Sequence, residues 1–476
     1  MTLPSSLNVS ELLGRLRAKS QDPQSILRMA FLVAKTNVGA QLLLMISSIV
    51  LIRYVSKAEY GLWRMLASTT AFIPLLFAGM DQAIHRFVPV ESRRNADAVT
   101  LSAFAVKASV TVVGLGVLAL LYPQIPDWLN VPTSMRRQFA PLFWVMLGST
   151  AVVPVATTLF AVTSAHKQFE LVFKITMVKQ SLMLVCVFLV VELQLTLVHY
   201  VASELALSVL QVMILWRAIR PLAVERGGDL LGALIARDRV SLLYHGWRVF
   251  LKSYAVPLNV ASALSYIRGH VPVMLLGSLF SLQSAAVYSI FKNVLTTIHK
   301  TEGGILSGVM PRVFQLYESD RNTFLPKFTH WTGRIYALRF AVGVSVILGA
   351  PLWFWVYKIE PSSQLTMVLV VLVLEFLMSE VVNVSNMAVM MSRRTTSLML
   401  SAGVRFVFEV PLLIFVTRRY GMIGAAVTLF LARSAQAMVT VHAAKQVAAM
   451  RQQYAVGGLL MAIFAVVLVG MLAVGS

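Results

Sequence analysis

Apolar runs long enough to cross a bilayer dominate the chain, separated by short polar intervals. They fall at about 29–52, 61–85, 98–121, 139–162, 171–191, 195–216, 250–278, 285–308, 334–357, 365–390, 396–416, 421–444 and 455–474. Most reach roughly the 20 residues that a helix needs to span the hydrocarbon core. A transmembrane β-barrel would instead show short segments of alternating polarity. The pattern predicts an all-α polytopic membrane protein of 12–14 transmembrane helices.

The polar intervals alternate in charge. Odd-to-even connections carry few cations: Arg53, Lys57 and Arg64, then Arg136 and Arg137, then Lys358, then Arg418 and Arg419. The N-terminus and the even-to-odd connections carry many more, among them Arg15, Arg17, Lys19, Arg93, Arg94, Lys167, Arg217, Arg220, Arg226, Arg237, Arg239, Arg312, Arg321, Lys327, Arg393 and Arg394. The positive-inside rule then predicts a cytoplasmic N-terminus. The opening "MTLPSSLNVSELLGRLRAKSQDPQS" lacks an apolar core with a small-residue cleavage site, so the first apolar helix is expected to act as an uncleaved signal anchor.

Composition agrees. Hydrophobic residues make up 58% of the 476 and charged residues only 13%, against roughly a quarter in soluble proteins, and the mean hydropathy is +0.77. The formal charge of +21 is largely absorbed by basic cytoplasmic loops, so no nucleic-acid partner is expected. The single cysteine, Cys186, excludes an intrachain disulfide and any metal site built on cysteines.

The longest polar interval, Arg217 to Trp247, sits at mid-chain with six apolar segments before it and six after, and a thirteenth at the C-terminus. Six is even, so duplicated halves would share one orientation. A gapless offset of 225 lays "IVLIRYVSKAEYGLW" (49–63) over "MLLGSLFSLQSAAVY" (274–288): an apolar helix end, Ser56 or Ser281, a short turn, and an aromatic end at Trp63 or Tyr288. The expected organisation is a cytoplasmic N-terminal segment (1–27), a six-helix bundle (28–217), a cytoplasmic linker (218–247), a second six-helix bundle (248–446) and an extra C-terminal transmembrane helix (447–476).

These residues also resemble a family. "RYVSKAEYGLWRMLAS" is similar to the signature joining the first two helices of Wzx-type polysaccharide flippases, a branch of the multidrug/oligosaccharidyl-lipid/polysaccharide exporter superfamily. "LGSLFSLQSAAVYSIFKNVLTTI" followed by "MPRVFQLYESD" resembles the family's seventh-to-eighth helix region. The motifs cover about a fifth of the chain, while helix number and spacing extend the likeness over nearly all of it. The thirteenth helix departs from the usual twelve or fourteen. The resemblance implies two six-helix bundles in a V around a central cavity.

An ionisable group at membrane depth costs about 2.5–3.5 kcal/mol on insertion scales, so each needs a partner, a cavity or a route to the interface. Under the 225 offset Arg268 aligns with Leu43 and His270 with Met45, both well inside the first helix. From Arg268 to the turn at Ser281 is roughly 20 Å of helix, too far to snorkel. Gly269 and Pro272 weaken the helix there, which suits backbone facing protein or a wet cavity. The functional reading is a cationic cavity wall; the alternatives are a buried structural contact or a shallower depth.

Lys292 would add to that wall. Further along the eighth segment come His299, Lys300 and Glu302, before Gly303 and Gly304. His299 and Glu302 are three apart and can meet, either as a proton or sodium coupling pair or as a self-neutralised patch. In the first half, Lys35, Asn37 and Gln41 stand at i, i+2 and i+6 of the first helix, as interfacial anchors or as polar contacts for substrate. Asp81 and His85, four apart, can pair near the cytoplasmic side, with Arg86 beside them, as an interfacial anchor or a coupling site. Lys252 is close enough to the inner face to snorkel. Arg405 and Glu409 can neutralise each other, and Glu375, Glu380, Lys107, Lys179, Glu204, Arg339 and Arg433 read as helix-packing charges.

No Walker A motif, zinc-protease motif or metal-spaced Cys/His cluster is present, so neither ATP hydrolysis nor a cofactor is expected. The short outer loops argue against a membrane enzyme acting on lipid-linked sugars. The expected function is translocation of polyprenyl-pyrophosphate-linked oligosaccharide across the bacterial inner membrane for surface or exopolysaccharide synthesis, by alternating access. The substrate would be bound by Arg268, His270, Lys292, Lys300, Lys35, Asn37 and Gln41, and ion coupling would fall to His299, Glu302 and Asp81. Partners would be membrane lipids, a polysaccharide polymerase and export machinery. The rival is an ion-coupled multidrug exporter, whose cationic cargo calls for an acidic cavity rather than a basic one.

Overall fold

Helices carry most of the described residues, and among those residues there is no β-strand. The computed structural model describes residues 23–89, 91–166, 168–299, 321–391, 395–445 and 451–475. Helix α1 spans Pro23–Tyr54, α2 Lys57–Thr70, α3 Ala78–Phe87, α4 Arg93–Leu121, α5 Arg136–Ala165, α6 Phe169–Glu192 and α7 Leu197–Arg226. Two short helices follow, α8 at Leu230–Ile235 and α9 at Arg239–Gly246. A π-helical turn, Trp247–Leu251, leads into α10 at Lys252–Leu279. Helix α11 covers 282–299, and then come α12 at Arg321–Leu348, α13 at Ala350–Val356, α14 at Ser363–Met391, α15 at Thr395–Ala444 and α16 at Arg451–Gly475.

The expected apolar segments fall on these helices where they are described. The eighth is followed only to 299, because its remainder lies outside the described residues, and the ninth is divided at Gly349 between α12 and α13. The second is broken: Pro74 has no N–H to continue the ladder, and the chain turns through Phe72–Leu75 before α3 begins. The sixth runs ten residues further than its apolar stretch, to Arg226. The eleventh and twelfth join in α15 across Gly421, which has a positive φ of 57°. By length and composition seven described helices can cross a membrane, or eight when the bent α2–α3 pair counts as one.

Packing follows two groups. In the first half α1 lies on α6, α7 on α5 and α6, and α4 on α5, with α3 between them. In the second half α14 packs on α12, α15 and α16. Helix α10 belongs to both, since it packs on α15 and also on α2 and α3.

The serines at offset 225 have matching roles. Ser56 caps α2 in a capping box with Glu59, and the Ser281 hydroxyl accepts the Ser284 N–H at 3.0 Å at the start of α11. These two helix starts meet. Gly61 lies against the backbone of Leu282, and a Cβ there would collide with the Leu282 carbonyl. Nearby, Arg64 donates to the Asn293 side chain at 3.1 Å, and Asn293 in turn donates to the Tyr60 hydroxyl at 3.3 Å. At the same end Arg53 donates to the carbonyls of Val356 and Trp355, at 2.8 and 3.2 Å. At the opposite end the Gly79 N–H donates to Asn259 on α10 at 2.6 Å.

The mid-chain segment is anchored rather than free. Asp97 accepts the N–H groups of Gly228 and Asp229, at 2.6 and 3.0 Å. Gly227 and Gly228 take φ values of 101° and 88°, which a residue with a Cβ rarely adopts. The His166 ring donates through Nε2 to the Gly227 carbonyl at 2.9 Å.

Two outcomes follow from these contacts. Gly61→Ala is expected to destabilise by about 1–3 kcal/mol, because backbone cannot yield to the new methyl. Thermal unfolding in detergent should show a lower midpoint, while Gly116→Ala, where an added Cβ meets nothing within 4 Å, keeps its midpoint. Burial pushes the His166 imidazole below its ordinary 6.5 despite the Gly227 bond. The unfolded chain therefore takes up a proton that the folded one refuses, and stability falls as pH drops through 6.5. His166→Gln keeps a donor for Gly227 and should flatten that acid-side slope; an unchanged slope would assign it to other groups.

Candidate functional site

The second half buries a dense set of charges. Helix α14 presents Glu375, Ser379 and Glu380 inward, and α15 contributes Arg405 and Glu409 before its break and Arg433 and Gln436 after it. The Glu375 carboxylate accepts from Arg433 Nε at 2.9 Å and faces Arg405 Nη2 at 3.7 Å. Arg405 also donates through Nε to Glu409 at 2.6 Å. Both guanidinium groups reach one acceptor, Gln436 Oε1, at 3.2 Å each. A second cluster centres on Arg339 of α12, only 1% exposed. Its guanidinium bridges to Glu380 and donates to the Ser379 hydroxyl at 3.2 Å.

Beside this network lies a cavity of about 160 Å³. Its polar lining comes from Lys292, Thr296 and His299 on α11, Glu375 and Ser379 on α14, and Arg405 and Arg433 on α15, with the Gly269 backbone on α10. Lys292, Thr296 and His299 lie four and three apart, one face of a helix. Pro272 supplies no N–H for the Arg268 carbonyl, which opens the α10 ladder here. The adjacent Gly269 carbonyl takes a hydrogen bond from Lys292 Nζ at 3.2 Å. His299 Nδ1 accepts from Arg339 Nη2 at 2.5 Å. An arginine has only donors, so this bond puts the imidazole proton on Nε2. Four fixed cations (Lys292, Arg339, Arg405 and Arg433) meet three carboxylates (Glu375, Glu380 and Glu409), leaving a positive balance among the described groups.

The expected site residues divide as follows. Lys292 and His299 converge on this cavity, and His270 is half-buried on α10. Gln41 is half-buried on α1, with Oε1 lacking a hydrogen-bond partner among the described residues. The side chains of Arg268, Lys35 and Asn37, and Lys300 and Glu302 entirely, lie outside the described residues. His299 accepts a hydrogen bond from Arg339 on another helix, and its expected partner Glu302 lies outside the described residues. Asp81 is bonded to Lys107 on α4 rather than to His85, which is exposed. Lys107 also donates to Thr157 and Thr158 on α5, at 3.1 and 3.2 Å. Lys179 donates to Ser208 at 2.8 Å.

Glu375, Arg405 and Arg433, which the sequence presents as packing charges, also line the cavity. Their fourfold and threefold spacings to Ser379, Glu409 and Gln436 were the available signal. Chemically the cavity offers ammonium, guanidinium and hydroxyl donors to an anion. Among the described residues no cluster of three or more His, Cys, Asp or Glu could hold a metal ion.

Known proteins share this fold. The lipid II flippase MurJ in an inward closed conformation superposes with a TM-score of 0.69 at 12% identity, covering 92% of each chain. A multidrug resistance MATE family transporter of the MOP superfamily, inward-facing, gives 0.62 at 12% identity over 87% of this chain and 94% of its own. A MOP superfamily transporter from Pyrococcus furiosus, described by a reverse polarity of its binding pocket that suggests a different function, gives a TM-score of 0.62 at 12% identity, covering 91% of this chain and 97% of its own. No curated protein matches the sequence. The family described as polysaccharide biosynthesis protein matches residues 26–317. With more than half of its length so matched, this multi-pass membrane chain belongs to the polysaccharide biosynthesis protein family.

Proposed function

We propose that the protein is a flippase moving polyprenyl-pyrophosphate-linked oligosaccharide repeat units across the bacterial inner membrane, for surface or exopolysaccharide synthesis. The observation that carries this reading is the excess of cations over carboxylates among the described groups around the second-half cavity, in a chain of the polysaccharide biosynthesis family. A pyrophosphate brings two or three negative charges into a low-dielectric region, where it needs charge-assisted donors. Lys292 is one, and Arg268 on the facing helix α10 is a second, able to clamp phosphate with two parallel N–H groups. His270 and Lys300 add charge, while Lys35, Asn37 and Gln41 meet sugar from the first half. His299, Glu302 and Asp81 are the candidates for ion coupling.

In this reading the bundles of 28–217 and 248–446 rock about the site, joined by a cytoplasmic linker at 218–247, with 447–476 as an extra helix and the N-terminus cytoplasmic. A polymerase and export machinery would take the translocated unit. The transporter likeness also admits a drug exporter, but a cationic drug needs an uncommitted acid. Among the described membrane carboxylates, Asp81, Glu375, Glu380 and Glu409 are each bonded to a lysine or arginine, and Glu204 on α7 lies within electrostatic reach of Lys179 and Arg64.

Loss of the protein should trap lipid-linked repeat units on the cytoplasmic leaflet, read by leaflet-selective labelling of the precursor. Absence of such precursors would refute the flippase. Arg268→Ala should abolish surface polysaccharide at normal membrane levels of protein, and Arg268→Lys should impair it. Normal export from Arg268→Ala would remove Arg268 from the site.

A further inference from the structure

The segment joining the halves carries an apolar surface that the protein itself leaves uncovered. Helix α9 and the turn after it have three faces. Leu242, Gly246 and Phe250, at fourfold spacing, are buried. Gly246 sits so close to Ala98 and Ser102 of α4 that a side chain there would collide with them. The Ser102 hydroxyl donates to the Leu243 carbonyl at 2.9 Å, fixing the helix on α4. The next face is Val240, Tyr244 and Trp247, again at i, i+4 and i+7, with Val240 72% and Tyr244 63% exposed. Ile235, at the end of α8, is 74% exposed. Around this apolar stripe stand exposed Arg237, Arg239, His245 and Arg248.

The acids nearby do not cancel those arginines. Asp238 is taken by Arg94 at 2.8 Å, and Asp97 by the Gly228 and Asp229 N–H groups. Glu225 and Asp229 are offset by Arg217, Arg220 and Arg226 at the end of α7. Helix α9 also runs, through one π-helical turn, directly into the apolar helix α10. An aliphatic and aromatic stripe that continues into a membrane helix and is rimmed by arginines has the make-up of an element lying in the bilayer interface. Tyrosine and tryptophan suit the headgroup level, and guanidinium groups extend from an apolar body to lipid phosphates.

We propose that α8 and α9 form a docking surface for anionic phospholipid. Val240, Tyr244 and Trp247 enter the acyl boundary, and Arg237, Arg239 and Arg248 hold anionic headgroups. This tethers the connection between the two halves to the membrane surface independently of any cargo.

The test uses the full chain with Cys186→Ala and Val240→Cys, the new thiol carrying a fluorophore. The protein is reconstituted in phosphatidylcholine vesicles doped with an equal mole fraction of either nitroxide-acyl phosphatidylcholine or nitroxide-acyl phosphatidylglycerol. Quenching should occur with both lipids and be stronger with phosphatidylglycerol, with an enrichment on the order of fivefold for each arginine that engages a headgroup. Replacing Arg237, Arg239 and Arg248 by Gln should leave the quenching but equalise the two lipids. Should the triple variant fail to fold, Arg239→Gln and Arg248→Gln are read singly, each lowering the preference. No quenching by either lipid would mean that water or a protein partner meets this face. Equal quenching in the parent protein, or a preference that survives loss of the arginines, would likewise overturn the proposal.

Discussion

The second half is organised around one shared carboxylate. Glu375 holds Arg433 directly and Arg405 more loosely, and both arginines close on the same Gln436 oxygen. Inside a membrane a lone charge is excluded and a half-satisfied pair is worse than none. The sharing therefore fixes α14 against both arms of α15 at once. Arg405 and Glu409 complete the set along one arm, and Arg339 with Glu380 ties α12 to the same helix. Among the described groups, cations outnumber carboxylates around the cavity, and Lys292 is one of its lining residues.

Helix α10 links that chemistry to the rest of the molecule. It lends the Gly269 carbonyl to Lys292, yet it packs on α2 and α3 of the first half. It thus connects the Lys292 side of the cavity to helices of the first half. The close approach of Gly61 to Leu282, with the Arg64–Asn293–Tyr60 chain beside it, defines where the halves touch at one end. The Gly79–Asn259 bond marks the contact at the other.

Much of the fold is legible in the sequence because a membrane helix must satisfy its backbone within itself, so apolar length alone marks it. The breaks at Pro74 and Gly421 modify that reading without altering its order. The offset of 225 also has physical content, since Ser56 and Ser281 each cap the helix that follows. The site was legible only where contacts are local. Arg405 and Glu409, four apart, do pair. The same spacing suggested Asp81 with His85, but Lys107, 26 residues away, takes the carboxylate. Arg433 and Glu375 are 58 residues apart, and no periodicity on one helix can announce such a bond. Lys292 and His299 stand out in the sequence because each is an ionisable residue inside an apolar segment, where it needs a partner or a cavity.

The most direct measurement is calorimetric binding of a soluble short-chain isoprenyl diphosphate to the purified full chain in detergent, compared with Lys292→Gln. Loss of one charge-assisted contact should weaken binding about ten- to a hundredfold, with the thermal midpoint of the unliganded protein unchanged. Equal affinity in the two proteins, or no binding to either, would contradict a cationic diphosphate site in the second-half cavity.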